Sequence, residues 1–237
     1  MPSRSPRSWA AAIAASAVLA IAGEPLQQPL LLWLFKPLTT VLIIAFAATR
    51  GAGEPALRRW LLAGLVLSLG GDVALLWPAQ GFLPGLVSFL LAHLAYLRAF
   101  TRDTRFGARP LAFAAYAVVA GSLLAVLWAG VPAPMRVPVL VYVAALASMA
   151  AQALARWLQH RASPAAGLWG RAAAGAALFV CSDALIAFDR FHTPLPHAVV
   201  PILALYWLAQ GCIAASLPAA SALRSGDPAR AAAPASA

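Results

Sequence analysis

The chain has 237 residues, 62% of them hydrophobic and only 10% charged, with a mean hydropathy of +0.81. Soluble domains are about a quarter charged, so this composition excludes a water-soluble globular protein. The formal net charge of +10 does not point to nucleic acid: sixteen Arg and Lys36 are scattered in short clusters between apolar runs, and no basic patch interleaved with aromatics occurs.

Eight apolar segments follow in chain order: 8–22, 30–48, 60–77, 83–100, 111–130, 137–157, 171–188 and 198–217. A helical span needs about 20 such residues. The connections are short and marked by Pro, Gly and Arg, which leaves no room for a separate soluble domain. The pattern predicts an all-α polytopic membrane bundle of about eight transmembrane helices, forming one domain over 1–217. The remainder, 218–237, is rich in Ala, Pro and Ser and reads as a disordered tail.

Charge tests this parse independently. When the connections are assigned alternately to two sides, one side collects fourteen arginines. They are Arg4, Arg7, Arg50, Arg58, Arg59, Arg98, Arg102, Arg105, Arg109, Arg156, Arg161, Arg171, Arg224 and Arg230. The other side holds only Arg136 and Arg190. The positive-inside rule then predicts that both termini are cytoplasmic, in what reads as a bacterial inner membrane. The first segment also resembles a cleavable signal peptide, with Arg4 and Arg7, an apolar run and Ala20-Ile21-Ala22. It is read here as a retained span, with cleavage and seven spans as the alternative.

Gly64 precedes Asp72 by the spacing that separates Gly175 from Asp183, in segments four apart. A duplicated 4+4 arrangement and chance similarity between Ala/Leu/Gly-rich helices both account for this. Cys181 and Cys212 lie in apolar segments and form neither a disulfide framework nor a metal site.

Ionisable groups inside spans are costly and are candidates for function. Here they are Lys36, Asp72, His93 and Asp183, with Tyr206 and Gln210 as polar neighbours. Lys36 and both Asp are predicted roughly 8–9 Å below the outer end of their helices at ~1.5 Å per residue, with His93 and Tyr206 about a turn deeper. A shared polar cavity explains such a slab better than separate charges facing lipid. The structural reading is that Lys36 pairs with one Asp while His93 and Tyr206 hold helices together. One lysine leaves a second carboxyl without an obvious partner, and two carboxyls in one site, one protonated and one ionised, form a general acid/base pair. Asp189, beside Arg190, reads as a solvated helix end. Asp103 is bracketed by arginines in a loop, and Ser68 and Ser182 read as packing residues. No Gly-x-Ser-x-Gly elbow, His-Glu-x-x-His pair or phosphate-cradling loop is present, which argues against a serine hydrolase, a zinc protease and a nucleotide-driven pump.

Five stretches carry a resemblance: Phe35-Lys36-Pro37-Leu38, Ser68-Leu69-Gly70-Gly71-Asp72, Phe89-Leu90-Leu91-Ala92-His93, Cys181-Ser182-Asp183 and Tyr206-Trp207-Leu208-Ala209-Gln210. In this order and register the chain resembles the YhhN-like integral membrane family, which includes the animal lysoplasmalogenases. Ala92 stands where the family often has Gly, and Trp207 where it often has a second Tyr. The resemblance implies hydrolysis of the vinyl ether bond of a lysophospholipid, with Asp72 and Asp183 as the reactive carboxyls and Lys36, His93, Tyr206 and Gln210 in support. Neither metal nor organic cofactor is needed. Two other readings stay open at this point: a proton-coupled lipid or small-molecule transporter using the same Asp/Lys cluster, and a scaffold in which the polar residues serve only packing. The oligomeric state is not legible.

Overall fold

In the computed structural model, residues 5–219 are described. Residues 220–237, most of the segment read as a tail, lie outside the described residues. Within 5–219 the chain forms eight α-helices: α1 (Pro6–Ala22), α2 (Pro29–Ala48), α3 (Pro55–Ala74), α4 (Phe82–Phe100), α5 (Pro110–Leu127), α6 (Arg136–Gln159), α7 (Ala166–Phe191) and α8 (Val199–Ala215). Four of them begin on a proline, whose missing N–H costs nothing in the first turn and whose fixed φ suits the helix. Ser5 caps α1 by accepting from the Ser8 amide at 3.2 Å.

All eight predicted segments are helical, with shifted ends. The third, predicted at 60–77, runs instead from Pro55 to Ala74. Arg58 and Arg59 do not delay its start, because Arg58 reaches back to the Ala48 carbonyl at 2.8 Å and also satisfies the end of α2. Asp72 therefore sits in the last turn of α3 and not five residues inside it. The seventh segment, predicted at 171–188, extends to Ala166–Phe191. Five stretches are long and apolar enough to cross a membrane: Pro29–Ala48, Phe82–Phe100, Pro110–Gly130, Ala133–Gln159 and Ala166–Phe191. The helices α1 and α8 are apolar but have 17 residues each.

Helices adjacent in sequence pack as hairpins, most closely α3 on α4 and α7 on α8, while α1 lies on α2 and α8. Small residues permit the close approaches. A methyl group built on Gly64 would fall inside the Tyr96 ring, and one on Gly175 would lie 2.7 Å from the Ala209 carbonyl oxygen. The principal core joins α2, α3, α4, α6, α7 and α8 around Tyr96, Phe89, Phe179 and Met149. Outward faces are apolar, with Leu30, Leu34, Leu111, Val118 and Val137 all more than 60% exposed. Water would not tolerate so much exposed hydrocarbon, whereas a bilayer covers it at no cost.

The end of the bundle with most of the arginines is tied by polar contacts. The Arg156 guanidinium, buried in α6, grips both carboxylate oxygens of Asp103 at 2.8 and 2.6 Å. Partial burial works against ionisation of Asp103, but the hydrogen bonds and charge of Arg156 outweigh it and hold the carboxyl below its usual range. Gln152 donates to the carbonyls of Phe100, Thr104 and Arg105. The α4–α5 connection is thereby fastened to α6.

Candidate active site

A cavity of about 870 Å³ opens at the arginine-poor end of the bundle, where Pro78, Val131, Pro132, Arg190 and Ala198 ring its mouth. Its wall is mostly hydrocarbon. Lys36 of α2, Asp72 of α3, Asp183 of α7 and Tyr206 of α8 face into it together, as the sequence pattern predicted. A floor of mutually edge-on rings closes it toward the other end. Phe89 meets Phe179 at 6.1 Å and Tyr206 at 5.8 Å, and Phe179 meets Tyr206 at 5.5 Å and His93 at 4.7 Å.

The two carboxyls are held differently. Asp72 is 1% exposed, and its Oδ2 accepts from the Thr40 hydroxyl at 2.6 Å and the Tyr206 hydroxyl at 2.8 Å. Behind Thr40 the Trp207 indole, which can only donate, gives its N–H to Thr40 Oγ1 at 3.3 Å and leaves the Thr40 proton available to Asp72. Lys36, 8% exposed, lies within electrostatic range of Asp72, yet its ammonium makes neither a hydrogen bond nor an ion pair within 4.0 Å among the described residues. The structural reading in which Lys36 neutralises an Asp by direct pairing is thus corrected. Pro37, inside α2, has no N–H for the Trp33 carbonyl, so the helix lacks one bond beside this lysine.

Asp183 has a single hydroxyl partner. Its Oδ2 lies 2.5 Å from the Tyr142 hydroxyl, which is in turn 3.0 Å from His93 Nε2; His93 Nε2 and Asp183 Oδ2 are 3.6 Å apart. His93 is fully buried, and its Nδ1 has no hydrogen-bond partner among the described residues. Nothing fixes the direction of the bonds along this row, so Tyr142 can donate to an ionised Asp183 or accept from a protonated one.

Sequence reasoning missed Tyr142 and Thr40. A tyrosine in the apolar run Val141-Tyr142-Val143 and a threonine one turn after Lys36 carry no charge to mark them. The i, i+4 spacing of Lys36 and Thr40 on one face of α2 was the available signal. Gln210 does not line the cavity; it lies behind Tyr206, and its Oε1 accepts from the Tyr96 hydroxyl at 2.7 Å. His93 is also set back and reaches Asp183 through Tyr142. Ser182 donates to the Ile202 carbonyl at 3.0 Å and orients neither carboxyl. Asp189, read as a solvated end, accepts the Leu195 amide at 2.8 Å and lines the mouth with Arg190. Arg190 itself lies over the Phe82 ring, 4.0 Å from its centroid.

The YhhN family model matches residues 31–217, from α2 through the end of α8. A lysoplasmalogenase of Mycobacterium bovis is 33% identical over 202 residues, covering 82% of this chain and 72% of the relative. The human lysoplasmalogenase TMEM86A is 33% identical over 193 residues, covering 77% and 76%. The human lysoplasmalogenase TMEM86B is 34% identical over 150 residues, covering 63% and 59%. No solved structure matches. With the family model spanning most of its length, the chain belongs to the YhhN family.

Proposed function

We propose that this protein is a membrane-embedded lysoplasmalogenase, which hydrolyses the vinyl ether bond of a lysophospholipid to a fatty aldehyde and a glycerophospho-alcohol. The relatives named as lysoplasmalogenases favour this over the transporter reading. The observation that carries the mechanism is the unequal environment of two carboxyls on one cavity.

Asp72 takes two hydroxyls on one oxygen and has Lys36 in electrostatic range, contacts that favour a carboxylate against the cost of its burial. Asp183, with one reversible hydroxyl partner, is the acid. Asp183 delivers its proton to the alkene carbon farther from the ether oxygen, and the adjoining carbon becomes an oxocarbenium ion. Asp72 stabilises that cation and takes a proton from the water that attacks it, giving a hemiacetal. In the collapse, Asp183 recovers a proton from the hemiacetal hydroxyl while Asp72 returns its own to the departing glycerol oxygen. One water is consumed and both carboxyls are restored. The logic is that of glycosidases, in which two carboxyls serve an oxocarbenium-like state. Lys36, facing the cavity without a partner side chain, is placed to meet the substrate phosphate or the developing charges.

The test is aldehyde release from lysoplasmenylethanolamine by purified protein. Asp72→Asn and Asp183→Asn, shown to be folded, should each lower turnover by about a hundredfold or more, the scale of general acid/base catalysis. Turnover by either variant within a few-fold of the parent overturns the mechanism. The arginine distribution supports an orientation in a bacterial inner membrane with both termini cytoplasmic, so that the cavity opens to the outer face.

A further inference from the structure

We propose that the alkenyl chain of the substrate lies in the apolar cleft between α5 and α7 and leaves the cavity sideways into the bilayer through it. The proposal rests on the vinyl ether reading and adds where the hydrocarbon goes.

The covalent structure of the substrate sets the problem. The reacting carbon is bonded through oxygen to the glycerophosphate on one side and to the long chain on the other. A site that holds this bond at Asp72 and Asp183 needs a polar exit in one direction and a hydrocarbon exit in another. The polar exit is the mouth, with Asp189 and Arg190. In the other direction the lining is Tyr116, Val119 and Ala120 from α5 and Val180, Ala184 and Ala187 from α7.

This cleft is open to the side. The helix α5 packs on α6 and makes only slight contact with α7; beyond the end of α5, at the mouth, Gly130 abuts the Phe191 carbonyl. Farther in, Val119, which lines the cavity, is exposed, so the lining reaches the lipid-facing surface of α5 beside α7. The aromatic floor of Phe89, Phe179 and Tyr206 blocks a straight path down the bundle axis. A single chain anchored at the carboxyls therefore finds a hydrocarbon route in this cleft, and an alkenyl tail passing through it stays in apolar surroundings.

Two measurements test this. The first compares hydrolysis of long-chain and short-chain lysoplasmenylethanolamines by Ala184→Trp and Ala120→Trp, with Val119→Trp at the half-exposed rim in case the bulk at the inner positions prevents folding. Filling the cleft should lower kcat/KM for long chains relative to short ones by about tenfold or more, because several methylenes lose their apolar contact. Val118→Trp, on the face of α5 turned to lipid and 67% exposed, should leave the ratio unchanged. An unchanged ratio in the cleft variants overturns the proposal. The second needs no turnover: a lysophosphoethanolamine with a saturated ether chain and a diazirine toward its end is photolysed in the protein, with and without excess unlabelled ether lipid. Competable labelling on residues 116–124 and 180–187 supports the cleft. Competable labelling elsewhere, or none, refutes it. Labelling in the cleft without hydrolysis by the parent protein would keep the cleft and overturn the vinyl ether reading, so the two failures are distinct.

Discussion

Two hydroxyls converge on one oxygen of Asp72, one of them backed by the Trp207 indole, while one hydroxyl meets Asp183. If Asp183 is the acid and Asp72 the base, as proposed, the pair rests with its one proton on 183. Infrared difference spectroscopy reads this directly. The carbonyl stretch of a protonated carboxyl should vanish in Asp183→Asn and persist in Asp72→Asn; the reverse pattern would exchange the roles. Tyr142→Phe removes the hydroxyl between Asp183 and His93. It should lower turnover by about tenfold or more, the value of one hydrogen bond to a charged group. It should also shift the carboxyl band, which a purely structural tyrosine would not do. The ionisable members of this site were legible because a charge in an apolar run is too costly to persist without a use. The hydroxyls that orient them were not, since Thr and Tyr are ordinary in membrane helices and only packing reveals which carboxyl they meet. Gln210 shows the opposite failure. It is polar and lies one turn from Tyr206, but it does not line the cavity, and its Oε1 is taken by the Tyr96 hydroxyl.

At the scale of the helices, the Gly-to-Asp spacing that suggested a duplication has the same mechanical part in both places. Gly64 lets Tyr96 of α4 close on α3, and Gly175 lets the backbone of α8 close on α7, each eight residues before its carboxyl. Without a side chain at these points the helix pairs approach closely enough to set the register of Asp72 and Asp183 toward a common cavity. Gly64→Leu and Gly175→Leu should therefore destabilise the protein by about 1–3 kcal/mol, as overpacking of a filled interior does. A lowered thermal unfolding midpoint in detergent checks this. Gly121, around which a methyl would meet nothing within 4 Å, is the control, and Gly121→Leu should leave the midpoint near that of the parent. Helix number was readable from the sequence because apolar length and loop charge vary together along the chain. Helix ends were less so. The start of α3 was obscured by Arg58 and Arg59, whose charges suggest a loop, although Arg58 serves the end of α2 from within the first turn of α3.

Across the whole molecule the two ends of the bundle differ in kind. The arginine-rich end is fastened by Arg156 on Asp103, by Arg102 on Glu54 at 3.2 Å and by Gln152 on the α4–α5 backbone. The arginine-poor end carries the mouth, framed by the α3–α4, α5–α6 and α7–α8 connections. If charge sets orientation as it does in other polytopic proteins, the mouth faces away from the cytoplasm and draws substrate from the outer leaflet. A cysteine placed at Ala79→Cys, in the exposed turn between α3 and α4, reports on this. It should react with a membrane-impermeant thiol reagent added to intact cells. A cysteine at Ala108→Cys, in the α4–α5 connection, should react only after the membrane is opened. The parent protein is the blank in both cases, because Cys181 and Cys212 lie within α7 and α8 and are screened from such a reagent. The opposite labelling pattern would turn the protein over and place the mouth of the cavity toward the cytoplasm. The carboxyl pair and the α5–α7 cleft would keep their roles, but the enzyme would then consume lysolipids of the inner leaflet.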